Sequence, residues 1–138
     1  MENIAAYGPA IIAILVYTLI TLLQGAIVGA KKATANMTPG GDPENNYDDA
    51  LFRINRAHQN AVESLAPITI ALLACVLTGV SAWWVNILLA LFVVIRVIYI
   101  YIYLGNLGKA SNGTRTFVYV AGWAVNVILC VMAIASLI

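Results

Sequence analysis

Two stretches without a single Asp, Glu, Lys or Arg decide what this chain can become. One runs from Asn3 to Ala30 and the other from Ser64 to Ile95, and aliphatic residues dominate both. The hydrocarbon core of a bilayer takes about 20 apolar residues as a helix. The first stretch fits one membrane span. The second is too long for one, and Gly79-Val80-Ser81-Ala82-Trp83-Trp84 breaks it. Composition agrees, with 138 residues of which 62% are hydrophobic and only 9% charged. Soluble domains carry about 25% charged residues. The fold class expected is an all-α integral membrane protein in which a bundle of four transmembrane helices forms a single domain.

The expected spans are residues 7–30, 49–80, 82–106 and 114–138. Pro9 suits the first turn of a helix, and Lys31-Lys32 ends the first span. Residues 33–50 are polar and hold Pro39, Gly40, Gly41 and Pro43, so they form a loop outside the hydrocarbon. Asp48 and Asp49 are candidate caps for the second helix. The N-terminal Met-Glu-Asn-Ile lacks the basic region of a secretory signal, and the first apolar segment is expected to remain as a span. Cys75 and Cys130 sit in apolar segments without metal-ligand spacing and are expected as free, buried thiols. The net charge of +1 offers no field for nucleic acid.

Orientation follows from the cations. Lys31, Lys32, Arg53, Arg56, Lys109 and Arg115 flank the two polar loops, while the N-terminus, the turn near Trp83 and the C-terminus carry none. The positive-inside rule places both loops in the cytoplasm and both termini outside. Arg96 alone is mid-span.

The most informative segment is Arg53 to Pro67, at the start of the second span. At about 100° per residue, Arg53, Arg56, Asn60, Glu63 and Pro67 share an arc of roughly 80°. A charge inside a span costs about 2.5–3.5 kcal/mol on insertion scales. Such a face belongs against protein, a watery cavity or a ligand. Snorkelling explains Arg53 and part of Arg56. It does not explain Glu63, about 10 Å further along the axis. Arg96, Tyr99 and Tyr103 form a second line at i, i+3, i+7, and Arg115 and Tyr119 a third at i, i+4, with Thr116 beside it. These lines converge on the cytoplasmic half. Arg56, Arg96 and Arg115 outnumber Glu63, which suits an anionic ligand that also carries an amino group. A structural alternative has Arg96 paired with Glu63 between the second and third spans, and Glu63 is expected within reach of an arginine, Arg56 or Arg96. Tyr103 and Tyr119 could be belt residues and Arg115 a positive-inside anchor. His58 falls off the charged face and reads as a packing residue. Asn86 and Asn126 are expected to bond between helices.

The segment Arg56-Ala57-His58-Gln59-Asn60-Ala61-Val62-Glu63, followed by Pro67, resembles the signature of the MAPEG family, the membrane-associated proteins of eicosanoid and glutathione metabolism. Arg96-x-x-Tyr99-x-x-x-Tyr103-Leu104-Gly105 is similar to that family's third helix. Arg115-Thr116-x-x-Tyr119 is similar to the fourth-helix element of its prostaglandin E synthase branch, with threonine for serine. Lys31-Lys32-Ala33 resembles the end of its first helix. The resemblance covers nearly the whole chain. It implies a homotrimer with glutathione, as co-substrate, held between subunits. It implies that Arg56, Asn60, Glu63, Tyr103 and Tyr119 bind glutathione, with Arg96 and Tyr99 beneath it. Arg115 would stabilise the thiolate, and Thr116 retains the hydroxyl beside it. The second substrate would be a hydrophobic small molecule, an electrophile or lipid hydroperoxide arriving from the bilayer. Two features depart from the pattern. Ala26–Ala30 lacks the first-helix arginine of several members, leaving Lys31 or Lys32 as substitutes, and the loop 106–113 is longer than in the prostaglandin branch. A non-catalytic protein binding a lipid or anionic metabolite in the same cavity stays open beside the enzyme. A channel is disfavoured because the charges cluster at one side.

Overall fold

Helix-forming apolar residues without internal glycine clusters carry each stretch through as one long helix. The computed structural model describes residues 2–108 and 113–138. A short helix α1 (Glu2–Ala5) leads into α2 (Gly8–Thr34), α3 (Ala50–Thr78), α4 (Ala82–Leu104) and α5 (Thr114–Ala135). The last four are long and apolar enough to cross a membrane, and no strand occurs among the described residues. Within each apolar window only 28–33% of residues are buried in the chain itself. Leu19, Leu22, Leu77 and Phe117 are among the many large side chains left facing outward. In water such a surface would aggregate; in a bilayer it is the lipid or subunit face.

The helix ends follow local chemistry. Asp49 caps α3 by accepting from the Leu51 amide at 2.9 Å. Helix α2 runs past Lys31-Lys32 to Thr34. Cations in a last turn favour the helix dipole and do not stop the helix. What stops it is Asn36, at φ 53°, where the Asn36 and Met37 amides return to Ala33 and Lys32 carbonyls. This is a Schellman ending. Helix α4 ends in the same way at Asn106, also at φ 53°, with bonds to Tyr103 and Ile102. Helix α3 ends at Gly79, φ 72°.

Helices α3 and α4 form the centre, each packed on every other long helix, while α2 and α5 flank them. Tyr17, Phe92, Ile68, Leu89 and Leu129 are fully buried between them. Ala57, Ala61 and Ala71 let the backbones approach. The Tyr17 hydroxyl donates to the Ala61 carbonyl at 3.1 Å, and its ring meets Phe92 edge-on at 5.2 Å. At the far end Tyr7 donates to the Val80 carbonyl. Asn86 accepts from the Ala10 amide at 3.0 Å and donates to the Ala6 carbonyl at 2.9 Å, so it does link helices. Asn126 makes no such bond among the described residues; it meets only Cys130, on its own helix. Both cysteines are free, Cys75 buried and Cys130 exposed on the outer face rather than buried. Lys109, one of the cations used for orientation, lies outside the described residues.

Candidate functional site

The loop between α2 and α3 folds down onto α3 through one acidic residue. Lys32 Nζ lies 3.5 Å from Asp42 and donates to the Gly41 carbonyl at 2.7 Å. Asp42 accepts from Asn55 at 3.1 Å and from Gln59 at 2.9 Å. Gln59 in turn accepts from Arg56 Nη1 at 2.8 Å, which fixes that guanidinium at the mouth of the site. The Asn55 bond, with the nearby charges of Lys32 and Arg56, holds the Asp42 carboxyl below the ordinary carboxylate range. Further along the loop, Arg53 Nη1 donates to the Tyr47 and Asp48 carbonyls at 2.8 and 2.9 Å. Burial, with the Tyr103 hydroxyl beside it, pushes the Tyr47 phenol up.

Beneath the loop, Arg56, Asn60, Glu63, Tyr99, Tyr103, Arg115, Thr116 and Tyr119 line one cavity of about 230 Å3. Arg96 lines a deeper one of about 150 Å3, which shares Asn60, Glu63 and Tyr119 with the first and adds Ser64, Pro67, Gly122, Trp123 and Asn126. The three lines of residues drawn from α3, α4 and α5 therefore meet. Arg115 and Arg96 are 3% and 4% exposed, whereas Glu63, Thr116 and Tyr119 are open on the surface of the single chain.

The expected pairing of Glu63 with Arg96 or Arg56 does not form. Arg96 Nη1 donates to Asn60 Oδ1 at 2.7 Å and Nη2 to Ser64 Oγ at 2.6 Å. Ser64 passes its own proton to the Asn60 carbonyl at 2.7 Å. Asn60 and Ser64 are one turn apart on the stripe that faces α4, and Glu63 is rotated roughly 60–100° from them, toward the cavity. The guanidinium is also seated against the rings of Phe92, Tyr99 and Tyr119, at 5.1, 5.7 and 5.8 Å. Two charged hydrogen bonds at about 1.5–3 kcal/mol each are of the size needed to offset the insertion cost of one cation, with no carboxylate on it among the described residues. Gly122 makes the room: a Cβ there would sit 3.3 Å from Arg96 Cζ and Nε. Ser64 and Gly122 escaped the sequence reading, the first because it neighbours the louder Glu63, the second because a lone glycine in a span has no distinctive spacing.

Arg115 is held differently. Its Nη2 donates to Asn106 Oδ1 at 2.6 Å, and its Cζ lies 4.8 Å from the Tyr47 ring and 5.2 Å from the Tyr103 ring. The Nε atoms of both Arg96 and Arg115 are buried without a partner among the described residues. Lys32–Asp42 is the salt bridge found among the described residues, so Arg96, Arg115 and Glu63 face connected cavities with no opposite charge taken up. Of the candidate substitutes for a first-helix arginine, Lys32 is engaged with Asp42, and Lys31 borders an open groove with Asp49 and Leu51. His58 packs on Gly25, as a packing residue would, its Cε1 3.1 Å from where a Cβ would be.

No curated protein and no solved structure is significantly similar to the chain. A sequence model of the MAPEG family matches residues 7–135, which include all four long helices and every residue of the two cavities. The chain belongs to the MAPEG family, a family of membrane proteins that includes glutathione transferases.

Proposed function

We propose that this protein is a membrane-bound glutathione transferase or glutathione-dependent peroxidase. The observation that carries this reading is the set of unspent charges among the described residues: Arg96 and Arg115 without a carboxylate, and Glu63 without a cation, around adjoining cavities. Glutathione has two carboxylates, one ammonium and a thiol, and matches that set. Arg56, with Asn60, would take a carboxylate, and Glu63 the ammonium. Arg96, Tyr99 and Tyr103 would form the floor, and Tyr119 one wall. Arg115 would lie against the sulfur, where a guanidinium favours the thiolate, and Thr116 would offer its hydroxyl. The thiol proton leaves to water. With an aryl halide, sulfur forms a bond to carbon and halide departs. With a hydroperoxide, two glutathiones become the disulfide as the peroxide becomes alcohol and water.

The exposed Glu63, Thr116 and Tyr119 support a homotrimer in which a second copy closes the site. The cations at this end support an opening toward the cytoplasm. The apolar flank, with Trp123 and Pro67, gives a hydrophobic second substrate a route from the bilayer. One observation favours a non-catalytic binding protein instead: no first-helix arginine reaches the site. Mixing the purified protein with glutathione and following absorbance near 240 nm separates the two. Thiolate absorbance supports the enzyme; binding without it supports the non-catalytic reading.

A further inference from the structure

Among the described residues, Arg115 takes its hydrogen bond and its nearest ring from outside the three lines of cavity residues, and both groups are neutral. Asn106 stands at φ 53°, a conformation for which glycine is the default residue, and Gly105 immediately precedes it. The chain nevertheless puts asparagine at the left-handed position and glycine in the ordinary helical one. The side chain so placed reaches Arg115 at 2.6 Å. On the opposite side, the Tyr47 ring stacks 4.8 Å from the guanidinium. Tyr47 is itself fixed, by Arg53 on its carbonyl and by Phe52 edge-on at 5.0 Å.

We propose that Asn106 and Tyr47 are positioning residues that lock the Arg115 guanidinium in place without neutralising it. An aspartate at 106 would hold the arginine as well but would cancel the charge that an anion must meet. An amide oxygen and a ring face orient the cation and leave its full charge for the ligand. Phe52 and Arg53 then act at one remove, by placing the loop. This inference rests on the reading of Arg115 as the group that meets the glutathione thiolate.

The test is the pH profile of thiolate absorbance in bound glutathione, with no second substrate present, for wild type, Asn106→Asp, Asn106→Gly, Tyr47→Phe and Tyr47→Leu. Asn106→Asp keeps the shape and adds a carboxylate beside the guanidinium. Its midpoint should rise by about one pH unit or more, the size of a close charge effect. Asn106→Gly keeps the left-handed turn and deletes only the acceptor, and its midpoint should rise by a smaller amount. Tyr47→Phe should match wild type and Tyr47→Leu should not. Glutathione affinity measured below every midpoint, where the bound thiol is protonated, should stay within about threefold, since Arg56, Asn60 and Glu63 are untouched. In the protein without glutathione, guanidinium protons of Arg115 should exchange with water faster in Asn106→Gly than in wild type. Wild-type midpoints in Asn106→Asp and Asn106→Gly, with unchanged exchange, would overturn the positioning role while leaving Arg115 as activator. A wild-type midpoint no lower than that of free glutathione would remove the proposed function itself, and this inference with it.

Discussion

Arg96 Nη1 sits 2.7 Å from Asn60 Oδ1, a buried bond between a cation on α4 and a neutral amide on α3. With Ser64 it holds a full charge in mid-membrane, with no carboxylate on it among the described residues. The approach is close at Gly122, where a Cβ would stand 3.3 Å from the guanidinium. Gly122→Ala should therefore cost stability. The arginine is tied by two hydrogen bonds, and making way for a methyl group strains them. Overpacking of this kind costs about 1–3 kcal/mol. Thermal unfolding in detergent should show a clear drop in Tm. Asn60→Ala should show one as well, since the cation then loses a charged bond worth about 1.5–3 kcal/mol. An unchanged Tm in both variants would mean that Arg96 is not anchored as described.

Glu63 behaves in the opposite way. It is exposed in the single chain and has no ion pair among the described residues. Glu63→Ala should leave Tm nearly unchanged and weaken glutathione binding, because the ammonium loses its acceptor. Isothermal titration beside the thermal scan checks this. A large loss of Tm without loss of binding would make Glu63 a structural residue.

The clasp on the α2–α3 loop carries a pH dependence with a definite sign. Asp42 is held below its ordinary value, so its stabilising contribution is present above that value and is lost as pH falls through the lower folded one. Backbone hydrogen exchange in residues 41–49, corrected for intrinsic rates, should accelerate below about pH 4. Asp42→Asn should exchange fast at pH 5 and show no such step. A step that survives in Asp42→Asn would assign the titration to another carboxylate.

Orientation can be read with thiol reagents in intact cells. A cysteine placed at Gly41 should resist an impermeant maleimide, and one appended after Ile138 should react. The reverse pattern would put the charged cavity on the outer side.

Much of this molecule could be read from its sequence, for a physical reason. Spans are set by the absence of charge over a length, and the Arg53–Pro67 face by a 3.6-residue period; both are local properties. The partner of Arg96 was not local. It depends on the rotation of α3 against α4, which the small residues Ala57 and Ala61 settle by close packing. That rotation presents Asn60 and Ser64 to α4 and turns Glu63 aside. Tyr47 and Asn106 were hidden for another reason. They act from a loop and a helix end, where no period exists to mark them. Helix α2 outlasts the apolar segment that Lys31-Lys32 ends, because a cation is welcome in the last turn of a helix, and it continues until Asn36 turns left-handed.

Arg115 offers the sharpest test of the proposed chemistry. It is buried, it is held by neutral groups, and no carboxylate takes its charge among the described residues. The carboxylates and ammonium of glutathione have Arg56, Asn60 and Glu63 to meet them. Loss of Arg115 should then be felt in reactivity more than in affinity, because its interaction strengthens as the thiol ionises. Arg115→Ala should lower conjugation of chlorodinitrobenzene about tenfold or more, equivalent to one pKa unit of thiolate stabilisation, or about 1.4 kcal/mol. Glutathione affinity should fall by less. Arg56→Ala should show the reverse emphasis, with a weakened Kd and a smaller change in the rate at saturation. Equal conjugation rates in wild type and Arg115→Ala, with glutathione bound in both, would reject Arg115 as the activating group and leave Thr116 or a residue from a second copy to be tested in its place.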